Sequence, residues 1–118
     1  PKPAQDAGPG KVIAFMSAAS GDGASTIALN TAYALAQEAG TPTVLVDLDY
    51  QFGMTSRQLD LQAEFGIREL FDFPERGLDA TLVSKMLLSY GSGGMNLIAA
   101  PDVLRMMPVV RPEVVRDL

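Results

Sequence analysis

The sequence predicts an α/β fold in which a parallel sheet is flanked by helices, and three observations predict it. Val12, Ile13, Ala14, Phe15 and Met16 form an unbroken apolar run, and Thr43, Val44, Leu45 and Val46 form a second one rich in β-branched residues. Such runs mark strands buried on both faces of a parallel sheet. Between them Ala28, Ala32, Leu35, Ala36 and Ala39 recur at helical spacing, and a face made mostly of alanine lets a helix lie close on a sheet. Strand, loop, helix and strand in that order make a βαβ unit, whose two strands are parallel.

The remaining elements follow in order. Residues 1–10 alternate Pro and Gly with polar side chains and read as a flexible linker, so the domain spans residues 11–118. Gly40 and Pro42 close the first helix. Residues 54–59 and 67–71 suit short helices. Residues 79–88 suit a longer one, with Leu82, Val83, Met86 and Leu87 on its apolar face and Lys85 in solvent. Residues 90–94 read as a turn, and residues 95–99 as a third strand stopped by Pro101. Pro112 suits the first position of a last helix. A final helix with no strand to lead into predicts the N-terminal half of a larger domain.

Composition narrows the function. The chain has 118 residues, 47% of them hydrophobic and 19% charged, as expected of a globular domain. Its net charge of −5 argues against nucleic acid as a partner, because phosphate backbones attract basic surfaces. The absence of Cys and His excludes disulfides, thiolate sites, His catalysis and most zinc sites. No apolar run nears the roughly 20 residues of a membrane span, so direct membrane insertion is not expected and a cytoplasmic location is.

The loop after the first apolar run carries the chemistry. Ser17, Ala18, Ala19, Ser20, Gly21, Asp22, Gly23, Ala24, Ser25 and Thr26 are small, and they lie where a helix N-terminus and free backbone N–H groups can hold phosphate. On the pattern G-x-x-x-x-G-K-[ST], Ala18 takes the first Gly, Gly23 the second, Ala24 the lysine and Ser25 the magnesium-binding hydroxyl. Candidate nucleotide-binding residues are therefore Gly21, Asp22, Gly23, Ala24, Ser25 and Thr26, with Ser25 as the metal ligand. A dinucleotide site competes, since Gly21, Asp22 and Gly23 read G-x-G and Asp47 lies 24 positions after Gly23. Thr26 at the third glycine position and the four residues between Met16 and Gly21 oppose it.

Residues 11–49 resemble the MinD/ParA superfamily of deviant Walker A ATPases, whose loop reads K-G-G-x-G-K-[ST]. Here Ala19 stands for the signature lysine, Ser20 for a glycine and Ala24 for the phosphate lysine. The runs Gly23-Ala24-Ser25-Thr26 and Asp47-Leu48-Asp49-Tyr50-Gln51-Phe52-Gly53 are similar to the TadZ/CpaE pilus-assembly branch, with its G-A-S-T and D-x-D-x-Q-F-G. Leu97-Ile98-Ala99-Ala100-Pro101 and Arg111-Pro112-Glu113-Val114-Val115 extend the likeness over most of residues 11–118. Met54 departs from the aspartate usual in that branch, and the Walker B strand would lie beyond Leu118.

The resemblance implies a P-loop NTPase-like domain that binds ATP with Mg2+, with Asp47 and Asp49 as the catalytic positions that order the magnesium shell or the attacking water. It also implies a homodimer, partners in pilus (Flp/Tad-type) or secretion assembly, and a position at a cell pole. Gln51, Phe52 and Gly53 read as a switch-like or dimer-facing loop, or as a packed connection. Met106 and Met107 beside Pro108 read as an adaptable contact surface or as core. Charge opposes efficient turnover. There is no Lys or Arg between Val12 and Val46, and Asp22 puts a carboxylate inside the cradle. One lost charged hydrogen bond weakens phosphate binding about 10- to 150-fold, and phosphoryl transfer relies on cations at the developing charge. The expectation is an ATPase-like protein that hydrolyses weakly or not at all. The alternative is an interaction scaffold with a vestigial site and no nucleotide.

Overall fold

The computed structural model describes residues 9–72, 77–100 and 112–118. Helix α1 (Ala24–Gln37) starts after Gly23, whose carbonyl accepts the Ile27 N–H at 2.9 Å. It ends where the Thr41 N–H turns back to the Leu35 carbonyl at 3.0 Å. Strand β1 (Thr43–Val46) follows, then the short helices α2 (Thr55–Gln58) and α3 (Arg68–Asp72). Helix α4 (Ala80–Met86) is capped by the Asp79 carboxylate, which accepts the Leu82 N–H at 2.7 Å. It runs directly into β2 (Leu87–Tyr90), a turn, and β3 (Met95–Ile98); α5 (Pro112–Arg116) is the last helix.

The sheet order is β1-β3-β2, with β1 parallel to β3 and β2 antiparallel to it. The strands alternate sides as the pleat requires. Leu45 and Met95 pack on Ala32 and Ala36 of α1, whereas Val46 and Ile98 pack on Ile67, Leu70 and Met86 across the sheet. Helices thus cover a three-stranded mixed sheet from both faces. No helix among the described residues is long and apolar enough to cross a membrane.

Three expectations are corrected. Residues 12–16 form no strand, and Val12 and Met16 are 93% and 88% exposed. An apolar run forms a strand only against a partner; both edges of β3 are taken, and the run does not pair with the open edge of β1. The expected βαβ unit is therefore open at its first strand. Residues 79–88 do not stay helical throughout; the chain leaves the helix at Leu87 to form β2. The cause is the turn at residues 91–94, which folds Tyr90 onto Met95 and makes a hairpin with β3. A sheet expected to be all parallel is mixed for the same reason.

The short helices, the third strand and the last helix form within a residue or two of their expected places. The helix face shifts: Ala32 and Ala36 are buried, Ala28 and Leu35 half-buried, and Ala39 is exposed. Met106, Met107, Pro108 and most of the expected linker lie outside the described residues.

Candidate functional site

The loop before α1 is built around one carboxylate. Gly21 and Gly23 both take positive φ, 80° and 86°, a region that glycine enters without strain. The turn this allows brings the Asp22 side chain back over the loop backbone. Asp22 Oδ2 accepts the Ala18 N–H at 2.6 Å and the Ala19 N–H at 3.2 Å. Asp22 Oδ1 accepts the Ala24 N–H at 3.1 Å. Ala24 is the first residue of α1, so one of these bonds satisfies an end group of the helix that has no partner inside it. The N–H groups of Ala19, Ala18 and Ala24, in that order of effect, hold the Asp22 carboxyl below its usual range, and the Ser17 hydroxyl adds to them.

This geometry bears on every loop candidate. The backbone donors at Ala18, Ala19 and Ala24 converge on an anionic group, as a phosphate cradle needs, but the anion they hold belongs to the chain. Ser25 and Thr26 sit in the first turn of α1 with exposed side chains. The Thr26 carbonyl accepts from Asn30 Nδ2 at 2.8 Å. The three donors hold an anionic oxygen group, the Asp22 carboxylate, and the side chains of Ser17, Ser20, Ser25 and Thr26 around them are exposed.

Asp47 and Asp49 close β1, and both carboxylates are engaged. Asp47 Oδ2 accepts the Thr55 hydroxyl at 2.6 Å and the Thr55 N–H at 3.2 Å, while Oδ1 accepts the Asp49 N–H at 3.1 Å. Asp49 Oδ1 accepts the N–H groups of Gln51 and Phe52 at 3.2 and 2.9 Å, and its carbonyl accepts the Gly53 N–H at 3.0 Å. These bonds shape the link from β1 into α2. Among the described residues no group of three or more His, Cys, Asp or Glu side chains stands together as a metal cage.

The connection holds two residues that motif reading does not single out. Thr55 is buried and supplies both bonds to Asp47 Oδ2. A threonine soon after a strand-ending D-x-D is the only local hint of it. Ala100 is buried against Gly53; a Cβ on Gly53 would collide with the Ala100 Cβ and come within 2.7 Å of the Asp49 carbonyl oxygen. Gly53 is thus a packed position, whereas Phe52 beside it is 67% exposed. Lys85 is exposed, as expected, and its ammonium stands 5.9 Å over the Phe65 ring. Compared with known protein families, curated proteins and solved structures, the chain matches none.

Proposed function

We propose that this chain belongs to a P-loop NTPase-like localisation factor of the MinD/ParA type, one that binds ATP weakly, hydrolyses it slowly or not at all, and serves pilus or secretion assembly in the cytoplasm. The observation that carries the nucleotide part is the convergence of the Ala18, Ala19 and Ala24 N–H groups on one anion at the start of α1. In this reading the terminal phosphates displace the Asp22 carboxylate, and Ser25 faces the magnesium. Asp47 and Asp49 stand at the carboxyl end of β1, the edge where ligands of parallel sheets are held. Competition from Asp22 and alanine at positions 19 and 24 keep affinity low. The assembly role, the polar position and the partners rest on the sequence resemblance.

A second reading has its own observation. The cradle is already filled by Asp22, which favours a scaffold that keeps the fold and binds no nucleotide. Titration of a fluorescent ATP analogue with Mg2+ separates the two. Saturable binding that is lost in Ser25→Ala and tightened about 10-fold or more by Asp22→Val with Ala24→Lys supports the nucleotide reading. No binding by the wild-type chain and none by the double variant overturns it in favour of the scaffold.

A further inference from the structure

Asp22 is followed by Gly23, and no other Asp or Asn of the chain precedes a glycine. An aspartyl carboxyl group can close on the backbone nitrogen of the next residue, and a side chain on that residue is the usual obstacle. Gly23 has none, and the space that a Cβ would take there holds no atom within 4 Å. Asp22 itself is exposed. The carboxyl group, the nitrogen and solvent water therefore meet at one point of the loop.

The same loop keeps them from reacting. Oδ2 of Asp22 is bonded to the N–H groups of Ala18 and Ala19, upstream in the chain, and Oδ1 to that of Ala24, downstream. Held from both directions, the carboxyl group does not turn its carbon to the Gly23 nitrogen while these bonds last. The Asp22 N–H is bonded to the Ala19 carbonyl at 3.3 Å, which holds the backbone at the start of the dipeptide. The bonds act on charge as well as on position. The N–H groups of Ala19, Ala18 and Ala24 favour the carboxylate, and a carboxylate is a far poorer electrophile than the acid.

We propose that Asp22-Gly23 is an isoaspartate-forming site that the loop holds closed, and that isomerisation begins when the Asp22 carboxyl group leaves the N–H groups of Ala18, Ala19 and Ala24. The Gly23 nitrogen then adds to the Asp22 Cγ. Its proton departs with the carboxyl hydroxyl as water, and a cyclic succinimide remains. Water reopens the ring at either carbonyl. Opening at the former backbone carbonyl routes the main chain through Cβ and Cγ and leaves the carboxylate on the Cα. One water leaves and one returns, so no co-reactant is consumed and the mass is unchanged. The side-chain arm that reached Ala18, Ala19 and Ala24 has become main chain, so their N–H groups lose the carboxylate that filled the cradle. No nucleotide takes part, and the chemistry is independent of the ATP reading.

The test is ageing at neutral pH and body temperature, with the folded chain and the chain in concentrated urea side by side. Isoaspartate is read by peptide mapping and by labelling with an isoaspartate-specific carboxyl methyltransferase. In urea it should build up at Asp22 well ahead of Asp79, which precedes alanine. In the folded chain it should build up at Asp22 about tenfold more slowly, the effect of hydrogen bonds to a charged group. Gly21→Ala strains the turn that brings Asp22 back over the loop, where φ is 80°, and should remove most of that protection. Circular dichroism checks that this variant is folded, and the comparison in urea decides by itself should it not be. Equal rates at Asp22 in the folded and urea-treated chains, isoaspartate forming in urea as fast at Asp79 as at Asp22, or a folded Gly21→Ala chain as protected as the parent would each overturn the proposal.

Discussion

Asp22 and Asp47 do the same job in two settings, and the contrast separates what a loop encodes by itself from what the fold supplies. Both carboxylates gather N–H donors and hold a chain reversal. Asp22 does so with partners two to four positions away, and its side chain is fully in water. Asp47 reaches eight positions to a buried threonine, in a link wedged against Ala100. Water can replace what Asp22 gives its neighbours. It replaces only part of what Asp47 gives Thr55. The Asp22 loop is therefore free to change partners, as a binding loop must, while the Asp47 link is a fixed joint between β1 and α2.

The sharpest way to break this contrast is through glycine. Gly53→Ala puts a methyl into the Ala100 side chain and the Asp49 carbonyl, neither of which is a flexible chain end. The expected loss is about 3 kcal/mol, the upper end for overpacking, read as a lower urea midpoint. Gly21→Ala meets no atom within 4 Å and suffers only from its φ of 80°. Its cost should be about 1–2 kcal/mol. Equal losses at the two positions would show that the link at Gly53 is no tighter than the loop.

Asp47→Ala comes next. It strips partners from the Thr55 hydroxyl and N–H and from the Asp49 N–H. Unsatisfied buried groups cost about 1–3 kcal/mol, and partial solvent access puts the expected loss near the bottom of that range. Asp47→Asn keeps an acceptor for Thr55 and should recover part of it. A variant as stable as the parent would free Asp47 from a structural role and strengthen its case as a magnesium-shell residue.

What could be read in advance follows the same division. The helix from Ala24, the strand at Thr43, the short helices and the last helix are marked by local spacing, caps and prolines, and they form. The glycines that shape the loop and the intruding Asp22 carboxylate were legible too, because every contact there is local. Hidden were the facts set by distant partners. Leu87 and Leu88 complete an apolar helix face as well as they fill a strand, and only pairing with Leu97 and Ile98 decides. Residues 12–16 have the composition of a buried strand, yet they pair with no strand among the described residues, and composition does not show that. Thr55 and Ala100 enter the story through contacts that no motif contains.

The smallest expected effect is at Asp22, and it tests whether the loop is organised by its charge. Asp22→Ala should leave the unfolding midpoint unmoved, because water takes over the exposed donors, yet speed amide exchange at Ala18, Ala19 and Ala24. Acid should do the same in the parent chain. The folded carboxyl titrates below its unfolded value, so the loop contribution is complete above the ordinary aspartate range and is lost only as pH falls through the lowered value. The amide resonances of those three alanines should therefore hold steady at pH 4, where an unperturbed aspartate with a pKa of about 3.9 is already partly protonated, and move together at lower pH. A shared transition at the ordinary aspartate value would mean that the three N–H groups do not hold the carboxylate in solution. The loop would then be an open cradle, and the low affinity expected for nucleotide would rest on the missing lysines alone.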